Sequence, residues 1–292
     1  MDYIILFLLG SAIGSFLNVL IYRLEESEKR KTQSEKEDSN YQGSISIVLG
    51  RSYCPNCKHQ IRWYDNIPIL SFLILRAKCR DCHEKISIQY PLIEIATGML
   101  FLLIFNFQFS IFNKFSIINF QTIQITDWIV LMYLLATFSG LFAILVYDFK
   151  HYIIPNKIIY PLIALVLGFG ILNLFGNWNL KIENFNSWQE IILSLLIPLF
   201  FLFLIVISKG KWMGMGDVKL ALFMALFLGW PSVLVAVFSA FWLGTLVGLP
   251  LVIFGKKKMQ SQIPFGPFLI IGTFIAFFWS SQIIQWYLSI SY

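Results

Sequence analysis

The chain alternates long apolar runs with short polar breaks, and the runs have membrane-crossing length. A helix needs about 20 apolar residues to cross the hydrocarbon core. Eight stretches approach that requirement: 3–22, 92–112, 128–147, 156–176, 188–207, 217–230, 232–254 and 265–287. They lack the two-residue alternation of a barrel strand, so the pattern predicts helices. The sixth run is short and closes on Gly229-Trp230-Pro231, which reads as a tight hairpin into the seventh. The first begins with Asp2 rather than a basic segment and shows no small-residue cleavage site, so it reads as a retained span and not a signal peptide. Only the polar stretch 23–91 is long enough to fold outside the membrane.

Composition agrees: 58% of residues are hydrophobic and 13% charged, where a soluble domain carries about 25% charged residues. The expected fold class is an all-α integral membrane protein, with about eight transmembrane helices and a small cytoplasmic zinc-binding domain. The net charge of +6 raises the question of nucleic acid, and its distribution answers it. The 23–91 loop, Lys150, Lys157, Lys209, Lys211, Lys219 and Lys256 to Lys258 carry twenty of the 22 Lys and Arg on one side of the predicted layout, leaving Lys114 and Lys181 on the other. This bias makes the loops bearing the twenty cytoplasmic and places both termini outside. The basic charge sets orientation and does not form a nucleic-acid patch.

All four cysteines fall in that loop, as Cys54-Pro55-Asn56-Cys57 and Cys79-Arg80-Asp81-Cys82, with 21 residues between the pairs. Two CxxC knuckles at such a spacing supply four thiolates for a tetrahedral zinc. Disulfides do not suit a reducing compartment, and a redox CxxC needs no second copy. Four sulfurs leave no open position, so the expected role is structural, stapling a loop with few apolar residues. His59 and His83 read as surface residues. The stretch from about 25 to 45 mixes both charges and lacks apolar residues from Glu25 to Asn40, and it is expected to be a disordered insertion.

Two aspartates mark the candidate chemistry. Asp148 ends the third run, and Asp217, within Gly214-Met215-Gly216-Asp217, opens the sixth. A carboxylate at a membrane boundary without a partner is unfavourable and is by default a functional-site candidate. The layout puts both at the same cytoplasmic edge, although 69 positions separate them. Neighbouring carboxylates share a proton, so one can act on water as base while the other donates to a carbonyl. The glycines permit close approach to Asp217. For Asp217 alone, helix capping or pairing with Lys219 or Lys150 explains the residue equally well. The helix dipole favours charge on Asp217, in the first turn of its helix, and disfavours it on Asp148, at a C-terminal end; Asp217 is therefore the expected base. A rival class is an ion-coupled transporter using Asp148 and Asp217 as proton relay, but no inverted repeat or paired broken helices accompany them.

Six ordered motifs give the chain a resemblance to the type IV prepilin peptidases, the GxGD-type membrane aspartyl proteases. Gly14-Ser15-Phe16-Leu17-Asn18-Val19 with Ile21-Tyr22-Arg23 resembles the family's N-terminal signature. Cys54 to Cys82 with Asn66-Ile67-Pro68 resembles its zinc motif, and Tyr90-Pro91-Leu92-Ile93-Glu94 the exit from it. Asp148 with Ile154-Pro155-Asn156, Gly214 to Lys219, and Ile263-Pro264-Phe265-Gly266-Pro267 complete the set. Glu25 stands where the family often has proline, and Ala77 where it often has glycine; neither touches an aspartate or cysteine.

The resemblance implies an endopeptidase of the bacterial cytoplasmic (inner) membrane that removes prepilin or pseudopilin leaders at the cytoplasmic face. It also implies N-methylation of the new terminus with S-adenosylmethionine. No Gly-rich Rossmann turn supports that second activity; Glu94, Asn18 and Asn66 are its candidate contributors, although Glu94 is as well explained as a helix-entry acid at the interface. Asp148 and Asp217 become the catalytic pair, with Gly214, Gly216, Lys219, Pro155, Pro264 and Gly266 as supporting positions. The chain then divides into a first span, 1–22, a four-cysteine domain, 23–91, and a seven-helix protease domain, 92–292.

Overall fold

The computed structural model describes residues 2–37, 50–115, 125–175, 188–211, 213–253 and 264–290. The described residues are almost entirely helical and form two compact units, Met1–Asn119 and Phe120–Tyr292.

In the first unit, α1 (Asp2–Glu37) packs against α3 (Gln89–Phe115), and between them in sequence lie a 3-10 turn (Trp63–Asn66) and the short α2 (Leu70–Ile74). Small residues set the α1–α3 distance, as expected where lipid leaves helices little hydrophobic reason to associate. A Cβ on Gly14 would overlap Thr97 Oγ1 and lie 2.8 Å from the Glu94 Cα; one on Gly98 would lie 2.6 Å from the Phe7 ring. The face of α3 turned to this packing buries Ile93, Thr97, Phe101 and Ile104.

Two expectations change here. Residues 25–37, expected to be disordered, continue α1 as helix. They contain no Gly or Pro, and an existing span removes the cost of nucleation. Glu25–Lys29 at 2.7 Å and Glu26–Arg30 at 2.8 Å add i,i+4 pairs. Residues 38–45 of that expectation lie outside the described residues. The division of the chain also falls after α3 rather than before it, because the glycine contacts join α3 to α1.

The second unit contains α4 (Ile125–His151), α5 (Asn156–Phe175), α6 (Trp188–Ser208), α7 (Met215–Leu228), α8 (Ser232–Ile253) and α9 (Gly266–Ile290). At its centre is α7, packed by α5, α6, α8 and α9. It buries Leu220, Ala221 and every residue from Phe223 to Leu228, the behaviour of a helix apolar all round. Phe138 of α4 meets Phe227 of α7 and Phe274 and Phe277 of α9, with ring centroids 4.9–5.7 Å apart. Gly140 admits Leu162 of α5, and Gly272 of α9 sits against the α8 backbone at Ala236 and Ala240. Gly229, at φ +67°, turns α7 into α8 where the sequence pattern predicts the hairpin.

A helix stands at each of the eight predicted positions, and among the described residues six are long and apolar enough to cross a membrane: Tyr3–Arg30, Gln89–Gln108, Thr126–His151, Gln189–Ser208, Ser232–Pro250 and Gly266–Ile290. The apolar stretch described in α5, Asn156–Leu172, is shorter. With 14 residues, α7 reaches only about 21 Å at 1.5 Å per residue. With its start at one surface, its far end therefore lies inside a hydrocarbon layer about 30 Å thick.

Gly14→Leu tests the close helix pair. Overpacking against Thr97 and Glu94 is expected to destabilise the first unit by about 1–3 kcal/mol, measured as a lower melting temperature of the purified protein, whereas Gly168→Leu, which faces open space, leaves it unchanged.

Candidate active site and metal centre

Asp148 is buried in the last turn of α4. The helix ends when Tyr152 enters the left-handed region at φ +58°, its N–H donating to the Asp148 carbonyl at 2.9 Å. The chain then runs through Ile154 to Pro155, whose carbonyl accepts the N–H groups of Ile158 and Ile159, both at 3.1 Å, and starts α5. Asp217 is half-buried in the first turn of α7. Its Oδ2 accepts the Gly214 N–H at 3.3 Å, half of a capping box that glycine, lacking a side chain, does not complete. The capping role open to Asp217 from sequence is therefore real, and it engages one carboxylate oxygen.

Ile154 joins the two aspartate-bearing segments. A Cβ on Gly216 would lie 3.1 Å from the Ile154 Cβ, and one on Gly266 would lie 3.4 Å from the Ile154 Cδ1 and overlap Asp148 Oδ2. The starts of α7 and α9 thus close on the end of α4 because both positions lack a side chain. Asp217, next to Gly216, is thereby brought towards Asp148 across the Ile154 side chain. Lys219, a sequence candidate for pairing with Asp217, instead donates to Asn156 Oδ1 at 2.6 Å and lies 4.9 Å from the centre of the Tyr160 ring. That contact ties α7 to α5 and leaves the acidic character of the aspartate pair intact. Pro264 directly precedes the α9 entry. Sequence reasoning missed the roles of Asn156 and Tyr160 as the lysine's partners.

The cysteines form two copies of one local structure, offset by 25 positions. In the first, Cys54 N–H donates to the His59 carbonyl at 2.9 Å and Lys58 N–H to the Cys54 carbonyl at 3.0 Å; in the second, Cys79 pairs with Glu84 at 2.8 Å and His83 with Cys79 at 3.1 Å. Lys58 and His83 both take positive φ, and bridges Tyr53–Gln60 and Lys78–Lys85 close the two knuckles. All four sulfurs lie within 4.8 Å of one another, with Cys54 and Cys82 at 3.9 Å. A tetrahedral zinc with bonds of about 2.3 Å separates its sulfurs by about 3.8 Å, so the donor set and its size fit zinc. His59 approaches Asp81 at 4.0 Å and stands outside the cluster.

Backbone N–H groups and burial make the thiols electrically unequal. Burial opposes a Cys54 thiolate, but the N–H groups of Cys57 and Asn56 and the neighbouring thiols outweigh it and bring Cys54 down to about 7. The Glu84 N–H favours a Cys82 thiolate, yet desolvation and the surrounding thiols lift Cys82 to about 11.

The methyl-donor candidates sit in the same unit. Glu94 is buried, and its Oε2 accepts the Ile69 N–H at 2.7 Å and its carboxylate a hydrogen bond from Ser15. Asn18, also buried, donates to the Tyr90 carbonyl at 3.2 Å. Asn66 lines a cleft of about 240 Å³ together with Ser15, Arg23, Ser52 and Pro68. Glu94 reaches that cleft through Ser15, while Asn18 fastens α1 to the start of α3. Arg23, which donates to the Gly50 carbonyl at 2.8 Å on the cleft wall, is a lining residue that its place in the N-terminal signature already offered.

Purified protein is expected to contain about one zinc per chain on the four-thiolate geometry. Cys54→Ser/Cys79→Ser is expected to lose it and to loosen the loop to proteolysis. Full retention of zinc in that variant would place the metal elsewhere.

Two family models match the chain: the bacterial peptidase A24 N-terminal domain over residues 8–107 and the type IV leader peptidase family over residues 135–249. The matches fall one in each compact unit. Among curated relatives, the prepilin leader peptidase/N-methyltransferase of Stutzerimonas stutzeri is 33% identical over 96% of this chain and 91% of its own length. Those of Pseudomonas aeruginosa and Aeromonas hydrophila are 32% and 30% identical, over 96% and 98% of this chain and 91% and 93% of their own lengths. No solved structure matches. Both family models are of peptidases, and the transporter alternative finds no support. With both models matched in order and near-complete coverage of these relatives, the chain belongs to the family of prepilin leader peptidase/N-methyltransferases.

Proposed function

We propose that this enzyme cleaves the leader from type IV prepilins or pseudopilins by aspartyl-dyad hydrolysis, and methylates the new N-terminus with S-adenosylmethionine. The observation that carries the first activity is the convergence of the Asp148 and Asp217 segments on Gly216, Gly266 and Ile154. Asp217 is the base: the positive end of α7 and the Gly214 N–H both favour its carboxylate. Asp148, buried at the negative end of α4, begins protonated. Asp217 takes a proton from water as its oxygen attacks the scissile carbonyl, while Asp148 donates to the carbonyl oxygen. Collapse of the tetrahedral intermediate returns a proton to the leaving amine and breaks the C–N bond. The product amine is the new N-terminus.

Methyl transfer belongs to the first unit. The cleft lined by Ser15, Arg23, Ser52 and Asn66 presents the polar groups a methyl donor needs, with Glu94 one hydrogen bond away through Ser15. Zinc, when bound by the four cysteines, supplies rigidity: it fixes the two knuckles, and with them Ser52 and the Tyr53 hydroxyl that donates to Glu26 at 2.7 Å. The positive-inside bias supports a cytoplasmic active site in the bacterial inner membrane.

Asp148→Asn and Asp217→Asn are each expected to lower prepilin cleavage at least about 10²- to 10⁴-fold, the usual share of acid–base catalysis, while a co-purified prepilin still binds. Gly266→Ala, which pushes Asp148 aside, is expected to lower cleavage about 10²-fold by misplacing one carboxylate. A gel-shift assay on membranes reads all three. Near-native turnover by Asp148→Asn would exclude the two-carboxylate mechanism.

A further inference from the structure

The first unit carries an apolar surface that neither the cysteine cluster nor the cleft uses. Leu70, Leu73 and Ile74 of α2 stand at i, i+3 and i+4, which puts them on one helical face. All three are exposed, Leu73 at 64% and Ile74 at 73%. Trp63, on the 3-10 turn that packs against α2, is 81% exposed. Surfaces of this kind mark docking sites rather than ordinary solvated faces.

The depth of α2 relative to the membrane is set by one hydrogen bond. Ile69, directly before α2, donates its N–H to Glu94 Oε2 at 2.7 Å. Glu94 is the sixth residue of α3, about 7.5 Å along the axis from Gln89 at 1.5 Å per residue. Membrane-crossing length in α3 begins at Gln89, so α2 is held level with the first turns of the span and not out in bulk water. The exposed stripe also continues onto the span: Leu92, Ile95, Met99 and Leu103 recur at intervals of three and four on the face of α3 opposite its packing with α1. That stripe is the lipid-facing side of α3, and Ile88, 71% exposed, precedes it directly.

Cations border the patch. Arg76 and Lys78 follow α2, Lys85 lies across the bridge from Lys78, and Arg62 adjoins Trp63; all four are exposed. Apolar side chains at interfacial depth, edged by a tryptophan and by Lys and Arg, have the chemistry of a segment lying in the headgroup–acyl boundary.

We propose that α2 and Trp63 form an interfacial lipid anchor, with the Leu70-Leu73-Ile74 face inserted at the surface of the same bilayer that α3 crosses. The bordering cations then reach lipid phosphates. The anchor gives the cysteine module a third attachment to the membrane besides α1 and α3, and holds Asn66, between Trp63 and α2, over the cleft.

The test uses the full-length protein in lipid nanodiscs with a benzophenone amino acid at Ile74 or at Glu84, an exposed polar residue at the tip of the second knuckle. After illumination, mass spectrometry is expected to find lipid adducts at position 74 several-fold more often than at position 84. Equal lipid labelling, or adducts from position 74 to another part of the chain, to a second copy or to co-expressed prepilin in place of lipid, would overturn the proposal. Hydroxyl-radical footprinting of the unsubstituted protein in the same nanodiscs supplies a readout free of any substitution. Leu73 and Ile74 are expected to resist oxidation, and oxidation of the 70–74 segment matching that around His59 would overturn the proposal.

Discussion

Two carboxyl groups brought together at a membrane edge lose hydration and cannot both ionise cheaply, and the second unit is built around accommodating that pair. Asp148 ends one helix and Asp217 opens another, so neither carboxylate has to be carried into the hydrocarbon. Their approach depends on absent side chains. Gly266 lets α9 start against Asp148, and Gly216 lets α7 start against Ile154. A methyl group at Gly266 would occupy the position of the Asp148 oxygen. The opposite poles of the two helices favour charge on Asp217 over Asp148, the direction the proposed acid–base division requires. Lys219, the cation nearest in sequence to Asp217, is engaged by Asn156 and Tyr160, an arrangement that avoids neutralising Asp217.

Close backbone approach recurs through both units for a general reason. In lipid, apolar side chains gain little from leaving their solvent, so helix pairs rely on van der Waals fit and on small residues at the contact. Gly14 and Gly98 serve α1 and α3, Gly140 serves α4 and α5, and Gly272 serves α8 and α9. The extramembrane segment faces the opposite problem. It has too few buried apolar side chains to hold itself together, and the four-sulfur cluster, the Glu94–Ile69 bond and the Glu26–Tyr53 bond supply the constraint instead.

Much of this was legible in the chain. Each span announces itself by apolar length, which the bilayer fixes almost independently of tertiary context. The cysteine site was legible because ligand spacing is local. The expectation that Asp148 and Asp217 share one membrane edge comes from counting spans between them. What escaped is what depends on contacts across the sequence. Residues 25–37 look unfolded by composition, yet they inherit helicity from the span that precedes them. The partnership of α3 with α1 rests on Gly14 meeting Thr97, a contact no periodicity encodes. The short α7 is buried over most of its length from Leu220 on, yet its apolar run resembles a lipid-exposed span and only its length separates them. Gly266 appeared as one motif position among several, and its contact with the Asp148 oxygen emerged only in three dimensions.

The central claim is that one chain performs two successive reactions on one pilin terminus, hydrolysis at the aspartate pair and methyl transfer in the cysteine-bearing unit. The most direct measurement is mass spectrometry of the pilin N-terminus after co-expression with the wild-type enzyme and with Cys54→Ser/Cys79→Ser. The account expects the wild type to yield a terminus that has lost its leader and carries one methyl group. The cysteine variant, its aspartates untouched, should yield a terminus cut at the same bond with the methyl group absent or depleted. An intact precursor from the wild type, or full methylation by a variant shown to lack zinc, would contradict the account.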